Sequence, residues 1–291
     1  MEIDYNPMND ILFKFIFGAE ERKNITINFL NAVMNKNIRE IEFHNVELNP
    51  QHETEKLSRI DIFAILDNKE RVNIEVQCVN QYNMAKRTLF YWAHMFLHNN
   101  ALKSGEKYQE LKPAITINVL GYEFLPDKKP HSMYTLYDLE NQHRLTDAIE
   151  LHFLEVPKFE KKSVGKMNKI EKWLAFLSKK LNREEMEELA MTEPAIQDAL
   201  SAANVFFADD KKYWEYLNRQ AAILDYNSGI EGALKKGREE GREEGREEGR
   251  EEGREEGIIS VAKNMINSGM SFDDIKKFTN LSVEKIQELA K

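Results

Sequence analysis

Residues 59–78, RIDIFAILDNKERVNIEVQC, hold two acids and an amide placed for metal and phosphate chemistry. Asp61 stands alone between Ile60 and Ile62, with Phe63, Ala64 and Ile65 following. A carboxylate in so apolar a run is costly to bury unless something pairs with it. Glu75 comes 14 residues later, and Gln77 two further on. Residues two apart on a strand share a face. Asn73, Glu75 and Gln77 therefore point one way, and Val72, Ile74, Val76 and Cys78 the other. A cation shared by Asp61 and Glu75 accounts for both acids. Their hard oxygens suit Mg²⁺ or Mn²⁺, ions that keep several waters and bind phosphate oxygens.

Two strands must bring these groups together. Arg59–Leu66 and Arg71–Cys78 flank the polar turn Asp67-Asn68-Lys69-Glu70, the signature of a hairpin. Residues 8–34 read as two helices: Asn9 caps the first, Gly18 ends it, and Ile11, Leu12, Phe15 and Ile16 repeat at helical spacing. Further strands are expected at Ile38–Leu48, Ala114–Leu120, Met133–Leu139 and Leu151–Val156, with a helical segment over 83–103 between them. Helices before, among and after a mixed set of strands predict an α/β or α+β domain. From Lys166 to Asn227 the pattern is helical without strands.

Residues 237–257 are five copies of GREE closed by Gly257, readable as a helix or a solvated linker. Residues 258–291 recover a globular pattern. Ile258, Ile259, Val261, Ala262, Met265 and Ile266 form a helical stripe, Gly269 stops it, Ser271 with Asp274 opens a second helix, and Ser282 a third. The spacing resembles a helix-turn-helix, and docking or dimerisation suits it as well as DNA reading. The divisions expected are 1–160 for the core, 161–230 for a helical extension, 231–257 for the repeat and 258–291 for the tail.

Composition narrows the classes of function. The net charge is −9, of which the repeat, with five Arg and ten Glu, supplies −5. That argues against a globally basic nucleic-acid binder but leaves room for a local basic surface. Lys158, Lys161, Lys162, Lys166, Lys169 and Lys172 make such a cluster, although a solvated linker and helix face explains them as well. No apolar run approaches the roughly 18 residues that span a bilayer. The opening MEIDYNPMND lacks the basic and apolar regions of a signal peptide. Cys78 is the only cysteine, so neither an intrachain disulfide nor a thiolate zinc site is expected, and a reducing cytoplasm fits.

Other patterns carry less. His94 and His98 are one helical turn apart, but Met95 stands where a zinc protease places its glutamate, and Trp92, Phe96 and Leu97 around them favour packing. There is no phosphate-binding glycine loop after a strand and no serine in a nucleophile elbow.

Asp61 with Glu75-Val76-Gln77 resembles the D…ExK pattern of the PD-(D/E)XK nucleases, with Gln77 in place of lysine. MNDILFKFIFG, RIDIFAIL, NIEVQ and QYNMAKRTLFYW, in that order, resemble the Rpn family, described as recombination-promoting nucleases or PD-(D/E)XK-type transposases. The GREE-type repeat and short helical tail are similar to that family's C-terminus. The resemblance implies a restriction-endonuclease-like mixed sheet flanked by helices. It also implies a metal-dependent endonuclease acting on double-stranded DNA, with Mg²⁺ or Mn²⁺ held by Asp61 and Glu75. Asp10 holds the place of the acid on the first helix that often completes the site in that superfamily. Gln77 can orient water or phosphate but brings no charge. Lys86 and Arg87 on the following helix are the cations available instead, and Lys14, one turn after Asp10, can touch a phosphate. Tyr82 and Tyr91 are candidates for the groove wall. Homo-oligomerisation through the C-terminal helices is a further expectation. The competing reading is a weak or inactive nuclease fold that serves as a DNA-binding or interaction module.

Overall fold

The computed structural model describes residues 4–44, 61–97 and 107–290 in full, and residues 47–48 and 58–59 as backbone. In chain order, α1 (Asp10–Phe17) and α2 (Lys23–Met34) lead into β1 (Ile41–His44), β2 (Glu47–Leu48), β3 (Ser58–Arg59), β4 (Ile62–Leu66) and β5 (Arg71–Gln77). After α3 (Met84–Leu97) come β6 (Ala114–Leu120), β7 (His131–Tyr134) and β8 (Ile149–Glu155). The rest is helical: α4 (Lys169–Ser178), α5 (Arg183–Thr192), α6 (Pro194–Phe207), α7 (Asp210–Asn267), α8 (Phe272–Thr279) and α9 (Val283–Leu289).

The period-two alternation of β5 builds a mixed six-stranded sheet in the order β1-β4-β5-β6-β8-β7. β4 and β5 form the expected antiparallel hairpin, with Ile62 opposite Ile74 and Ile65 opposite Arg71. β5, β6 and β8 run parallel, so Gln77, Leu120 and Glu155 lie side by side at their carboxyl ends. Ligands of open α/β sheets bind outside such ends.

The two faces of the sheet are chemically unlike. Val72, Ile74, Val76, Ile115, Ile117 and Val119 join the main core with residues from α1, α2, α4 and α6. Aromatic rings close it, Phe13 stacking on Phe17 at 4.4 Å and Phe29 meeting Trp173 edge-on at 5.6 Å. The other face carries buried polar residues, Asn73, Glu75, Thr116 and Asn118, beneath α3. The α3 buried stripe is Met84, Thr88, Tyr91 and Met95, at helical spacing.

Some elements differ from the sequence expectation. The strand expected over Met133–Leu139 is His131–Tyr134, because the chain beyond it forms its own turn, with Tyr137 bridging Arg144. The Ile38–Leu48 run becomes two short strands. Ile60 and the end of the 83–103 segment, including His98, lie outside the described residues.

Contacts divide the chain into two compact units, Met1–Leu224 and Asp225–Lys291. In the first, Trp173, Leu189, Ile196, Ala203 and Phe206 share one core with the sheet, so α4 to α6 pack with the strands. In the second, the GREE residues are helical and exposed throughout. Ala262, Ile275 and Ile286 form a small core there. Ser271 and Ser282 cap α8 and α9, and Asn280 takes the left-handed conformation between them (φ 58°). Among the described residues no helix is long and apolar enough to cross a membrane.

Candidate active site

The site grows from three elements that meet at the carboxyl end of β5. On α1, the Asn9 side chain accepts from the amides of Ile11 and Leu12 at 3.2 and 3.4 Å, which fixes where the helix starts. Asp10 then falls in the first turn, and Lys14 one turn later, on the same side. Lys14 reaches the mouth of β4, where its Nζ lies 2.8 Å from Asp61 Oδ1. The other oxygen, Oδ2, accepts the backbone amide of Val76 at 3.1 Å. The β4–β5 register, carried one residue past Ile62, sets Asp61 opposite Glu75.

Glu75 is 1 % exposed. Its Oε1 accepts from Arg87 Nη2 at 2.6 Å and from Gln77 Nε2 at 2.9 Å. Its Oε2 is buried with no hydrogen-bond partner among the described residues. Burial pushes the Glu75 carboxyl up to about 8; the Asp61 charge adds to this, while Arg87 and Lys14 oppose it. An orphaned buried oxygen next to a second carboxylate is expensive unless a proton or a cation meets it.

Arg87 is delivered by α3, and α3 is seated by a polar ladder. Thr88 and Thr116 hydroxyls lie 2.9 Å apart, Asn118 Nδ2 donates to Thr88 Oγ1 at 2.9 Å and to the His152 carbonyl at 3.0 Å, and Trp92 Nε1 donates to the Ala114 carbonyl at 3.0 Å. The guanidinium also lies 5.3 Å from the Tyr91 ring centre, a cation–π contact.

The sequence-predicted residues therefore separate. Asp61, Glu75, Gln77, Lys14 and Arg87 come together through direct contacts. Lys86 is exposed, and no hydrogen bond or ion pair among the described residues joins it to them. Asp10 is engaged from elsewhere: Arg219 Nε lies 2.7 and 2.9 Å from its two oxygens. Tyr82 is 74 % exposed, with a left-handed backbone (φ 56°). His94 packs against Phe90, ring centres 4.4 Å apart. Of the lysine cluster, Lys158 pairs with buried Glu155, Lys161 with Glu185, Lys162 with Glu171 and Lys172 with Glu193. Four of the six lysines are thus ion-paired, and Lys166 and Lys169 are exposed.

Two neighbours of the site carried no sequence signal. Arg219 lies far downstream on a helix whose pattern shows only amphipathicity. Tyr122 follows β6; burial pushes its hydroxyl up to about 12, and the nearby Arg87 charge draws it back. Gly121 brings that turn close: a Cβ there would stand 3.3 Å from Cys78 Cα, and its amide donates to the Gln77 carbonyl at 2.8 Å.

The donor set suits a hard divalent ion. It offers the carboxylate oxygens of Asp61 and the free oxygen of Glu75, and no thiolate. Among the described residues no group of three or more His, Cys, Asp or Glu forms a complete metal cage.

No curated protein and no solved structure gives a significant match to the chain. The family model described as PD-(D/E)XK nuclease family transposase matches residues 7–233, a stretch that takes in Asp10, Asp61, Glu75, Arg87 and Arg219. The chain thus belongs to the PD-(D/E)XK nuclease family of transposases, and its six-stranded sheet flanked by helices is that family's α/β fold.

Proposed function

We propose that this chain is a divalent-metal-dependent DNA endonuclease, hydrolysing phosphodiester bonds in double-stranded DNA in the manner of a recombination-promoting transposase. The observation that supports the reading is the free, buried Oε2 of Glu75 near a second carboxylate, Asp61, which the antiparallel β4–β5 register sets opposite it in the mixed sheet. Asp61 and Glu75 would hold Mg²⁺ or Mn²⁺. The chemistry supplied by an ion bound there would be a lowered pKa of a water and compensation of charge on the phosphoryl group and leaving oxygen.

The remaining steps belong to the chain's own side chains. Asp61 is aimed by the Val76 amide and Lys14, and Glu75 by Gln77 and Arg87. Gln77 steadies Glu75 but supplies no charge. Arg87 supplies the positive charge that lysine brings in the D…ExK pattern, and it presents several N–H donors to a phosphate. Lys14 is the second cation within reach. Nicking of supercoiled plasmid in Mn²⁺ or Mg²⁺, lost in Asp61→Ala, tests the proposal. Plasmid cleavage that persists undiminished in EDTA would refute it.

Gln77 favours one other reading, a family member that binds DNA and cuts it weakly or not at all. Salt-sensitive DNA binding without nicking in either metal would establish that alternative.

A further inference from the structure

β7 is the last strand of the sheet, and among the described residues no strand pairs with its outer edge. The Glu155 amide donates to the Pro130 carbonyl at 2.8 Å. In an antiparallel pair, residues that bond across alternate with residues whose N–H and C=O point away. Counting from Pro130, Ser132 and Tyr134 bond to β8, and the backbone groups of His131 and Met133 face outward. Natural edge strands are blunted by lysine, proline or a bulge. Residues 131–137, HSMYTLY, hold no Lys, Arg, Asp, Glu or Pro.

The chain beyond β7 is held by its own bonds, yet it leaves its apolar groups outside. The Leu145 amide donates to the Leu136 carbonyl at 3.0 Å, and the Asp138 amide to the His143 carbonyl at 2.8 Å, which closes a short hairpin. The Asp138 carboxylate accepts the amides of Glu140 and Asn141, each at 2.9 Å, and the Thr135 hydroxyl ties the base to the Ile149 carbonyl at 2.8 Å. Leu136, Tyr137, Leu139 and Leu145 are exposed on this hairpin, as are Met133 and Tyr134 on the strand. Leu139 is 92 % exposed and Leu145 72 %. Together the six present on the order of 600 Å² along one edge, about the largest apolar patch that a monomer leaves bare.

A second copy of the same edge fits this surface. A symmetric pair would cover roughly 1,200 Å², which reaches the range of specific interfaces. A twofold axis sets the outward groups of His131 and Met133 against their own counterparts and needs no second sequence. Antiparallel pairing also lays residues 136–140 of each chain beside residues 126–130 of the other. There Asp138 and Glu140 meet the partner's Lys128 and the partner's Lys129, both exposed. Opposite charges so placed favour this register over a parallel one.

We propose that the protein is a dimer joined edge to edge through antiparallel β7 strands, with the hairpins over residues 136–145 covering the flanks of the joint. The inference does not depend on the metal-site reading, because none of these residues touches Asp61 or Glu75.

Sedimentation equilibrium of the full-length protein, without metal or DNA, gives the test. Wild type should follow a monomer–dimer equilibrium. Leu139→Glu/Leu145→Glu changes only exposed hairpin side chains and should weaken association by about tenfold or more. Met133→Pro removes an outward N–H and no bond to β8, and it should weaken association to a similar degree. Lys128→Glu/Lys129→Glu should weaken it by about threefold to tenfold at low salt. Circular dichroism checks the fold of each variant; if Met133→Pro does not fold, the hairpin variant decides. A wild-type chain that stays monomeric at about 100 µM overturns the proposal and leaves the edge to a partner of another sequence. A dimer that Leu139→Glu/Leu145→Glu leaves at wild-type strength overturns it too, and assigns the contact to another surface such as the C-terminal helices. No loss in Lys128→Glu/Lys129→Glu overturns the antiparallel arrangement.

Discussion

Arg87 and Glu75 meet at 2.6 Å between a helix and the strand beneath it, and the carboxylate in that pair is 1 % exposed. The contact leaves Glu75 half satisfied. One oxygen takes both Arg87 and Gln77, the other takes nothing among the described residues. An ion pair built for stability alone would use both oxygens.

Removing either carboxylate should therefore end metal-dependent cleavage without unfolding the protein. Asp61→Asn and Glu75→Gln are expected to lower the nicking rate by about a hundredfold or more. Circular dichroism should stay native, since Gln fills the Glu75 volume. A variant that keeps more than a tenth of the wild-type rate would argue against the two-carboxylate site.

Metal affinity should depend on pH with a known sign. The Glu75 carboxyl is raised to about 8 in the metal-free fold, so at neutral pH it holds a proton that the ion must displace. Mn²⁺ affinity should rise by about tenfold per pH unit up to pH 8 and level off above it. The same shift acts on folding. The raised carboxyl contributes stability below its ordinary value of 4.5, and that contribution is lost as pH rises toward 8. Glu75→Gln should flatten both profiles, and a pH-independent Mn²⁺ isotherm would contradict the assignment.

Arg87→Met should act in two ways at once. Without the guanidinium the Glu75 carboxyl rises further, which moves the pH profile of cleavage upward. If the proposed reaction holds, the phosphate would also lose one of the two cations at the site, at a cost of about 10-fold to 100-fold in rate. Gln77→Lys, which restores charge at that position, should recover part of the loss in the Arg87→Met background. Absence of any recovery would show that Arg87 acts by geometry and not by charge.

The ladder beneath α3 gives a stability prediction. Thr88→Val keeps the shape but removes the hydroxyl shared by Thr116 and Asn118. Thr116 and Asn118 then stay buried with fewer partners, which should cost about 1–3 kcal/mol in denaturant unfolding. Because α3 carries Arg87, cleavage should weaken in parallel. Unchanged stability would mean that water replaces the hydroxyl.

Deletion of residues 237–291 removes only exposed repeat and the small tail, and leaves the compact unit Met1–Leu224 with all the residues above. Asp61-dependent nicking should survive, while elution volume or DNA affinity changes. Loss of all nicking in a folded truncation would mean that the tail helps to build the site.

The sequence by itself was enough for the local chemistry. Period-two alternation put Glu75 and Gln77 on one face, the polar turn made the hairpin, and Asn9, Ser271 and Ser282 marked helix starts that the fold uses. Those signals are local, set by backbone geometry within a few residues, and so they can be read without knowing what packs against what. The acidic pair was legible for the same reason: a lone carboxylate among isoleucines stands out wherever it is placed.

Tertiary structure alone decided which cations serve those acids. Lys14, Lys86 and Arg87 were all candidates by type and position, Arg87 foremost, and of the three Lys14 and Arg87 reach the carboxylates. Lys86 is one residue from Arg87, about 100° around the helix, and faces solvent. The ladder of Thr88, Thr116 and Asn118 sets that rotation, through side chains 28 to 34 residues apart. Arg219 is the extreme case, brought to Asp10 by the burial of Tyr216 and the helices around it. Long-range neighbours of this kind follow from how whole faces pack, and no periodicity along the chain records them.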